Sequence, residues 1–214
     1  MWSFIVKGGP IMVPIILCSI FGLAIILEKF YYFKRIGINN AKFTEEVFAE
    51  IKNNRIQKAI WLCDQNAEAP LAMIFKAGLD KADLPVERLE KVLEHSGNIQ
   101  VQRMEKRLTA LGSIITISPL LGFLGTITGL INAFKSWEIA GANITVSILS
   151  QGIHEAMITT AAGLIVAVPF FLCHNYFISR IKYIASELTD YGQQFLDAVS
   201  AASIAAGQPK RAGV

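Results

Sequence analysis

Charge is scarce in this chain. Lys, Arg, Asp and Glu make up 17% of its 214 residues, against 53% hydrophobic residues, and the mean hydropathy is +0.45. That balance excludes an ordinary soluble domain and makes a membrane protein the first hypothesis. A net charge of +3, with no basic stripe interleaved with aromatics, gives no basis for nucleic-acid binding. Cysteine is scarce too. Cys18, Cys63 and Cys173 are scattered without CxxC spacing, which argues against a disulfide framework or a zinc site. His95, His154 and His174 lack ligand-spaced partners, so no metal is expected. Nucleotide loops, GxSxG elbows and nucleophile–base sets are also missing, so an enzyme is not expected.

What the chain has instead is long runs without charge. Gly8 to Leu27, Leu108 to Phe134 and Ala156 to Ser179 each carry none. A helix rises about 1.5 Å per residue, so each run is long enough to cross a hydrocarbon core of about 30 Å. The first lacks the charged n-region of a signal peptide and is followed by Glu28-Lys29, so it is read as a retained helix. Lysine and arginine are unevenly placed around the runs. Lys7 alone precedes the first, and Lys135 alone separates the second from the third. Most of the others fall between Lys34 and Arg107, and Arg180, Lys182, Lys210 and Arg211 follow the third. The positive-inside rule then puts the N-terminus in the periplasm and the C-terminus in the cytoplasm.

The expected fold is all-α, with three transmembrane helices, two of them extended into the cytoplasm as long amphipathic helices. Residues 1–33 form the N-terminal segment and first span, and 34–107 a cytoplasmic helical region. The second span is 108–134, the short periplasmic loop 135–145 and the third span 146–179. A cytoplasmic helix covers 180–200, and the tail 201–214 is expected to be mobile. Within the cytoplasmic region, helices are expected to stop at Asn53-Asn54, before Pro70 and near Asp80, and a fourth to start around Asp83-Leu84-Pro85. Its apolar spacing, Leu89, Leu93, Met104, Leu108 and Leu111, predicts a helix continuing into the second span. Ile181, Ile184, Leu188, Tyr191, Phe195 and Val199 form a similar stripe below the third span. It could pack within one subunit, between subunits, or both.

Polar residues inside the spans are the candidates for function. Gly125 and Gly129, in GxxxG spacing, suit close helix packing, within a subunit or between subunits. Each single threonine in a span has a plain explanation, a bond back to its own helix. Glu155 is different, because a carboxylate near the bilayer centre costs about 2.5–3.5 kcal/mol. The alternative is an interfacial glutamate ending a loop. Ser147, Gln151, Glu155 and Thr159 are spaced by four and share one face, while Thr160 lies about 140° round from Glu155. His154 points away from Glu155, and the Asn143 sequon matches a pattern that is common by chance.

Four stretches, "KGGPIMVPIILCSIFGLAIILEKFYYF", "PLAMIFKAGL", "SPLLGFLGTITGLINAF" and "GIHEAMITTAAGLIVAVPFFLCHNYF", resemble the MotA/TolQ/ExbB proton-channel family. Three spans and a short chain are similar to its ExbB/TolQ branch. The resemblance implies a homopentamer in a Gram-negative inner membrane around the single spans of an ExbD/TolR-like partner with a membrane aspartate. Ion flow then drives movement of that partner, which transmits work across the periplasm. It implies a functional glutamate at Glu155 and pore-side threonines at Thr126 and Thr160. It implies no cofactor, with H+ as the transported ion and Na+ as the alternative. Thr159, where this branch commonly has alanine, supplies an extra oxygen and is the residue that discriminates the two ions. A passive membrane scaffold of similar architecture, without conduction, is the competing reading.

Overall fold

The computed structural model describes residues 8–37, 40–140 and 146–205, and the side chains of all of these except 140, 146–149, 151 and 202–205. Every regular element among them is a helix. These are α1 (Met12–Arg35), α2 (Asn40–Lys52), α3 (Ile56–Gln65), α4 (Pro70–Leu79), α5 (Val86–Glu105), α6 (Leu108–Ala140) and α7 (Val146–Ala205). The starts and stops expected for α2 to α5 agree with these bounds. Pro70 opens α4 at its first turn, where a missing N–H costs nothing, and Lys34 and Arg35 close α1 at its negative dipole end.

Three stretches are long and apolar enough to cross a membrane: Met12–Arg35, Val86–Ile139 and Gly152–Ala201. Only 22%, 22% and 28% of their most apolar windows are buried by the chain itself, so most of that apolar surface faces outward. Such a surface is intolerable in water and ordinary in lipid.

The expected continuity of α5 into α6 fails at one point. Gly97 does not end the helix, but Lys106 and Arg107 do, with Arg107 at φ +70°. A left-handed non-glycine residue costs on the order of 1–2 kcal/mol. Arg107 pairs with Glu28, but an exposed pair contributes about 0–1 kcal/mol and does not cover that cost alone. Leu108 and Leu111, which follow the break, are fully buried, and each such side chain is worth about 1.5–3 kcal/mol. Burial therefore outweighs the strain.

The described residues group into two compact units. One is drawn from 30–106 and 178–214. Its centre is an aromatic cluster in which Phe75 stacks on Phe195 at 5.1 Å and on Phe43 at 6.1 Å. Val47, Ala59, Leu71, Ala72 and Leu89 of the same unit are also fully buried. Ile181, Ile184, Leu188, Phe195 and Val199 of α7 are all buried, so the stripe below the third span is packed by the chain itself. The tail position Ala201 is still helical, and 206–214 lie outside the described residues.

Cys63 of α3 is sealed in this unit, and burial, then neighbouring Asp64, pushes its thiol up to about 12. The thiolate is the nucleophile, so Cys63 should resist iodoacetamide at pH 8 in the native protein and react once the chain is unfolded in denaturant. Mass spectrometry of labelled peptides checks this. Fast native labelling of Cys63 would mean that α3 opens readily.

The other unit, drawn from 8–29 and 107–177, holds the apolar parts of α1, α6 and α7. Gly9 and Gly22 of the α1 strand of chain lie against Glu155 and Phe170 of α7, so α1 and α7 run in the same direction. Ser118 of α6 lies against Gly163 of α7 and Gly129 against Gly152, so α6 runs opposite to both. That alternation is what a chain crossing a membrane three times requires.

Candidate ion-pathway site

The contact between α6 and α7 is built from residues that have almost no side chain. A Cβ on Gly163 would stand 2.5 Å from the Ser118 carbonyl oxygen, and one on Gly122 would stand 3.0 Å from the Thr159 carbonyl oxygen. One on Gly129 would stand 2.9 Å from the Gly152 carbonyl oxygen, and one on Gly152 would stand 2.7 Å from the Ala133 Cβ. Each position touches backbone across the seam, so the two helices approach as closely as their main chains allow. Gly125 and Gly129, expected as packing residues, both lie in this seam. Their partner is α7 of the same chain. Gly122, Gly152, Gly163 and Ser118 belong to the seam too. Their signal was the recurrence of small residues at three- and four-residue spacing, but spacing did not say which helix would meet them.

The two neighbouring threonines are used differently. Thr159 is 1% exposed and sits on Gly125, whose added Cβ would be 2.5 Å from the Thr159 Cβ. Its hydroxyl donates back to the Ala156 carbonyl oxygen at 2.8 Å. Thr160, at the next position round the helix, donates across the seam to the Gly122 carbonyl oxygen at 3.0 Å. Such an interhelical bond is worth about 0.6 kcal/mol and at most about 1.7. It fixes the register of the helices, while backbone contact supplies most of the cohesion. Thr126 is half-buried, and its hydroxyl donates to the Phe123 carbonyl oxygen at 2.6 Å, within its own helix.

Glu155 is half-buried one helical turn before Thr159 on α7. Its carboxylate lies against Gly9, in the turn that precedes α1. The structure therefore brings Thr159, Thr160, Gly125 and Gly129 into one seam and gives Glu155 a different neighbour. The side chains of Ser147 and Gln151, and all of Asn143, lie outside the described residues. His154 is exposed. Among the described residues there is no group of three His, Cys, Asp or Glu side chains suited to a metal ion.

A half-buried carboxylate in an otherwise uncharged apolar segment can take up and release a proton there, or balance a passing cation. Comparisons with known proteins show which family the chain resembles. Residues 66–190 match the model of the MotA/TolQ/ExbB proton channel family, and this range contains Glu155 and all the seam residues. The chain is 32% identical over 173 residues to a biopolymer transport protein, ExbB-like 3, of Synechocystis, covering 80% of this chain and 82% of that one. It is 34% identical over 101 residues to the Tol-Pal system protein TolQ of Haemophilus influenzae, covering 47% and 42%. To the biopolymer transport protein ExbB of Salmonella typhimurium it is 33% identical over 106 residues, covering 44% and 43%.

Proposed function

This chain belongs to the MotA/TolQ/ExbB proton channel family, and from that premise we propose that it is the stator subunit of an ion-driven motor in a bacterial inner membrane. It assembles as a homopentamer around the single spans of two ExbD/TolR-like partner subunits, each carrying a membrane aspartate. Ion flow past Glu155 moves the partner, which transmits work across the periplasm. The observation that carries this reading is Glu155 itself, half-buried at the head of an apolar segment with no further charge before Arg180. A passive scaffold has no use for a carboxylate in that position, given its insertion cost.

The proposed ion is the proton. A proton needs only a titratable group and a water path, whereas sodium needs several oxygens converging on it. Thr159 lends little support to sodium, because its hydroxyl is sealed in the α6–α7 seam. Activity is therefore expected to persist in sodium-free medium, to collapse with a protonophore, and to survive Thr159→Ala with a mild loss. Flux into proteoliposomes under a set membrane potential measures this. Loss of flux on sodium removal at constant potential, with Thr159→Ala equally damaging, would replace the proton by sodium.

The proposed orientation has a separate test. In a background lacking the native thiols, Ala140→Cys should be labelled by an impermeant maleimide from the periplasm. Ile60→Cys and Ala205→Cys should be labelled only after the membrane is opened. Periplasmic labelling at position 60 would reverse the arrangement drawn from the lysines and arginines.

A further inference from the structure

We propose that the Gly8-Gly9 turn ahead of α1 is the wall against which the Glu155 carboxylate is set, and that Gly9 is a positioning residue for ion exchange there. The ion-exchange half of this rests on the reading of Glu155 given above; the seating itself rests on geometry. Gly9 has φ +67°, a left-handed conformation that glycine adopts freely and most residues do not. A Cβ built on it would overlap Glu155 Oε1 and would stand 3.0 Å from Cδ and 3.7 Å from Cγ. The side of Gly9 where a side chain would project is thus occupied by the carboxylate. Both the backbone angle and the space require glycine.

The turn is held firmly enough to act as a wall. The Met12 N–H donates to the Gly9 carbonyl at 3.2 Å and the Val13 N–H to the Pro10 carbonyl at 3.3 Å, which ties it to the first turn of α1. Gly8 is buried, and a Cβ on it would meet Met12 and stand 3.3 Å from Ile158 Cγ2. Ile158 is three residues after Glu155 and so on the same face of α7. The turn consequently touches α7 at two successive positions. Neither Gly8 nor Gly9 carries a side chain, so the effect of the turn itself is steric. The missing side chain at Gly9 leaves room for the rotamer that lays the carboxylate against the turn, and the turn's backbone stops it from swinging further. A carboxylate limited in this way meets an incoming ion in fewer arrangements, which is the advantage of preorganisation.

The test combines a spectroscopic signature with a compensating substitution. In the purified full-length protein, the infrared carboxyl band of Glu155 is the one lost in Glu155→Gln. Gly9→Ala should shift that band, and so should Gly9→Asn, which tolerates the left-handed angle and therefore isolates the collision from backbone strain. Both should lower ion flux by about tenfold or more, the scale on which small misplacements act. Glu155→Asp withdraws the carboxylate by one methylene, so Gly9→Ala/Glu155→Asp should conduct better than either single variant. Gly192→Ala, whose new methyl would meet nothing within 4 Å, should keep the band in place. An unshifted band in folded Gly9→Ala and Gly9→Asn would overturn the seating. A shifted band with unchanged flux, or simply additive losses in the double variant, would overturn the positioning role. Full flux in Glu155→Gln would remove the ion-carrying reading of Glu155, and the band would still decide the contact with Gly9.

Discussion

Glu155→Ala is expected to reduce ion-driven work to background while leaving the protein at wild-type levels and in its normal assembly. Moving one elementary charge through 100 mV supplies about 2.3 kcal/mol, against a thermal energy of about 0.6 kcal/mol. A few ions per step therefore suffice to drive a movement, provided a group within the apolar segment takes them up. In the proposed function Glu155 is that group, and residues 156–179 carry no charge. Its removal leaves no substitute on this chain. The substitution also deletes no contact in the α6–α7 seam, which is made by Gly122, Gly125, Gly129, Thr159, Thr160 and their partners. Flux into proteoliposomes, paired with native mass spectrometry, separates the two effects. Normal flux in Glu155→Ala at wild-type abundance would favour the passive scaffold.

Gly125→Leu should have the opposite profile, with loss of the folded protein itself. Even the first carbon of a side chain at 125 would stand 2.5 Å from the Thr159 Cβ and closer to its hydroxyl, and leucine adds more volume beyond it. Overpacking of this kind costs on the order of 3 kcal/mol. Proteins have only about 5–15 kcal/mol of stability in all. Low abundance and a lowered unfolding temperature in detergent are expected. Gly125→Ala should be milder, and Thr159→Ala should partly rescue it, because two of the three Thr159 atoms in the way are then gone. Wild-type stability of Gly125→Leu would mean that α6 and α7 part easily at this level. The defect begins inside one chain, so any change in oligomer size follows from it rather than from a glycine face turned toward a neighbouring subunit.

Length and charge were enough to read the spans. Gly8 to Leu27, Leu108 to Phe134 and Ala156 to Ser179 stand out because an uncharged run is a local property, and each lies within a helix or beside its start. The boundaries of α2 to α4 and the start of α5 were legible for a similar reason, since Asn53-Asn54, Pro70 and Pro85 act on their own backbone. Glu155 was legible through its isolation. What the tertiary structure decided is which faces meet. An apolar stripe between polar residues marks the side of a helix that packs, as it does for Ile181, Ile184 and Leu188. Inside a bilayer the lipid is as apolar as leucine, so hydrophobic periodicity no longer distinguishes a packed face from an exposed one. The pairing of Gly125 with Thr159, the bond from Thr160 to Gly122 and the approach of Gly9 to Glu155 join residues far apart in the chain. The break at Arg107 was hidden for a related reason, because the burial that outweighs its strain is set by the packing of Leu108 and Leu111 and not by any local helix-stop signal.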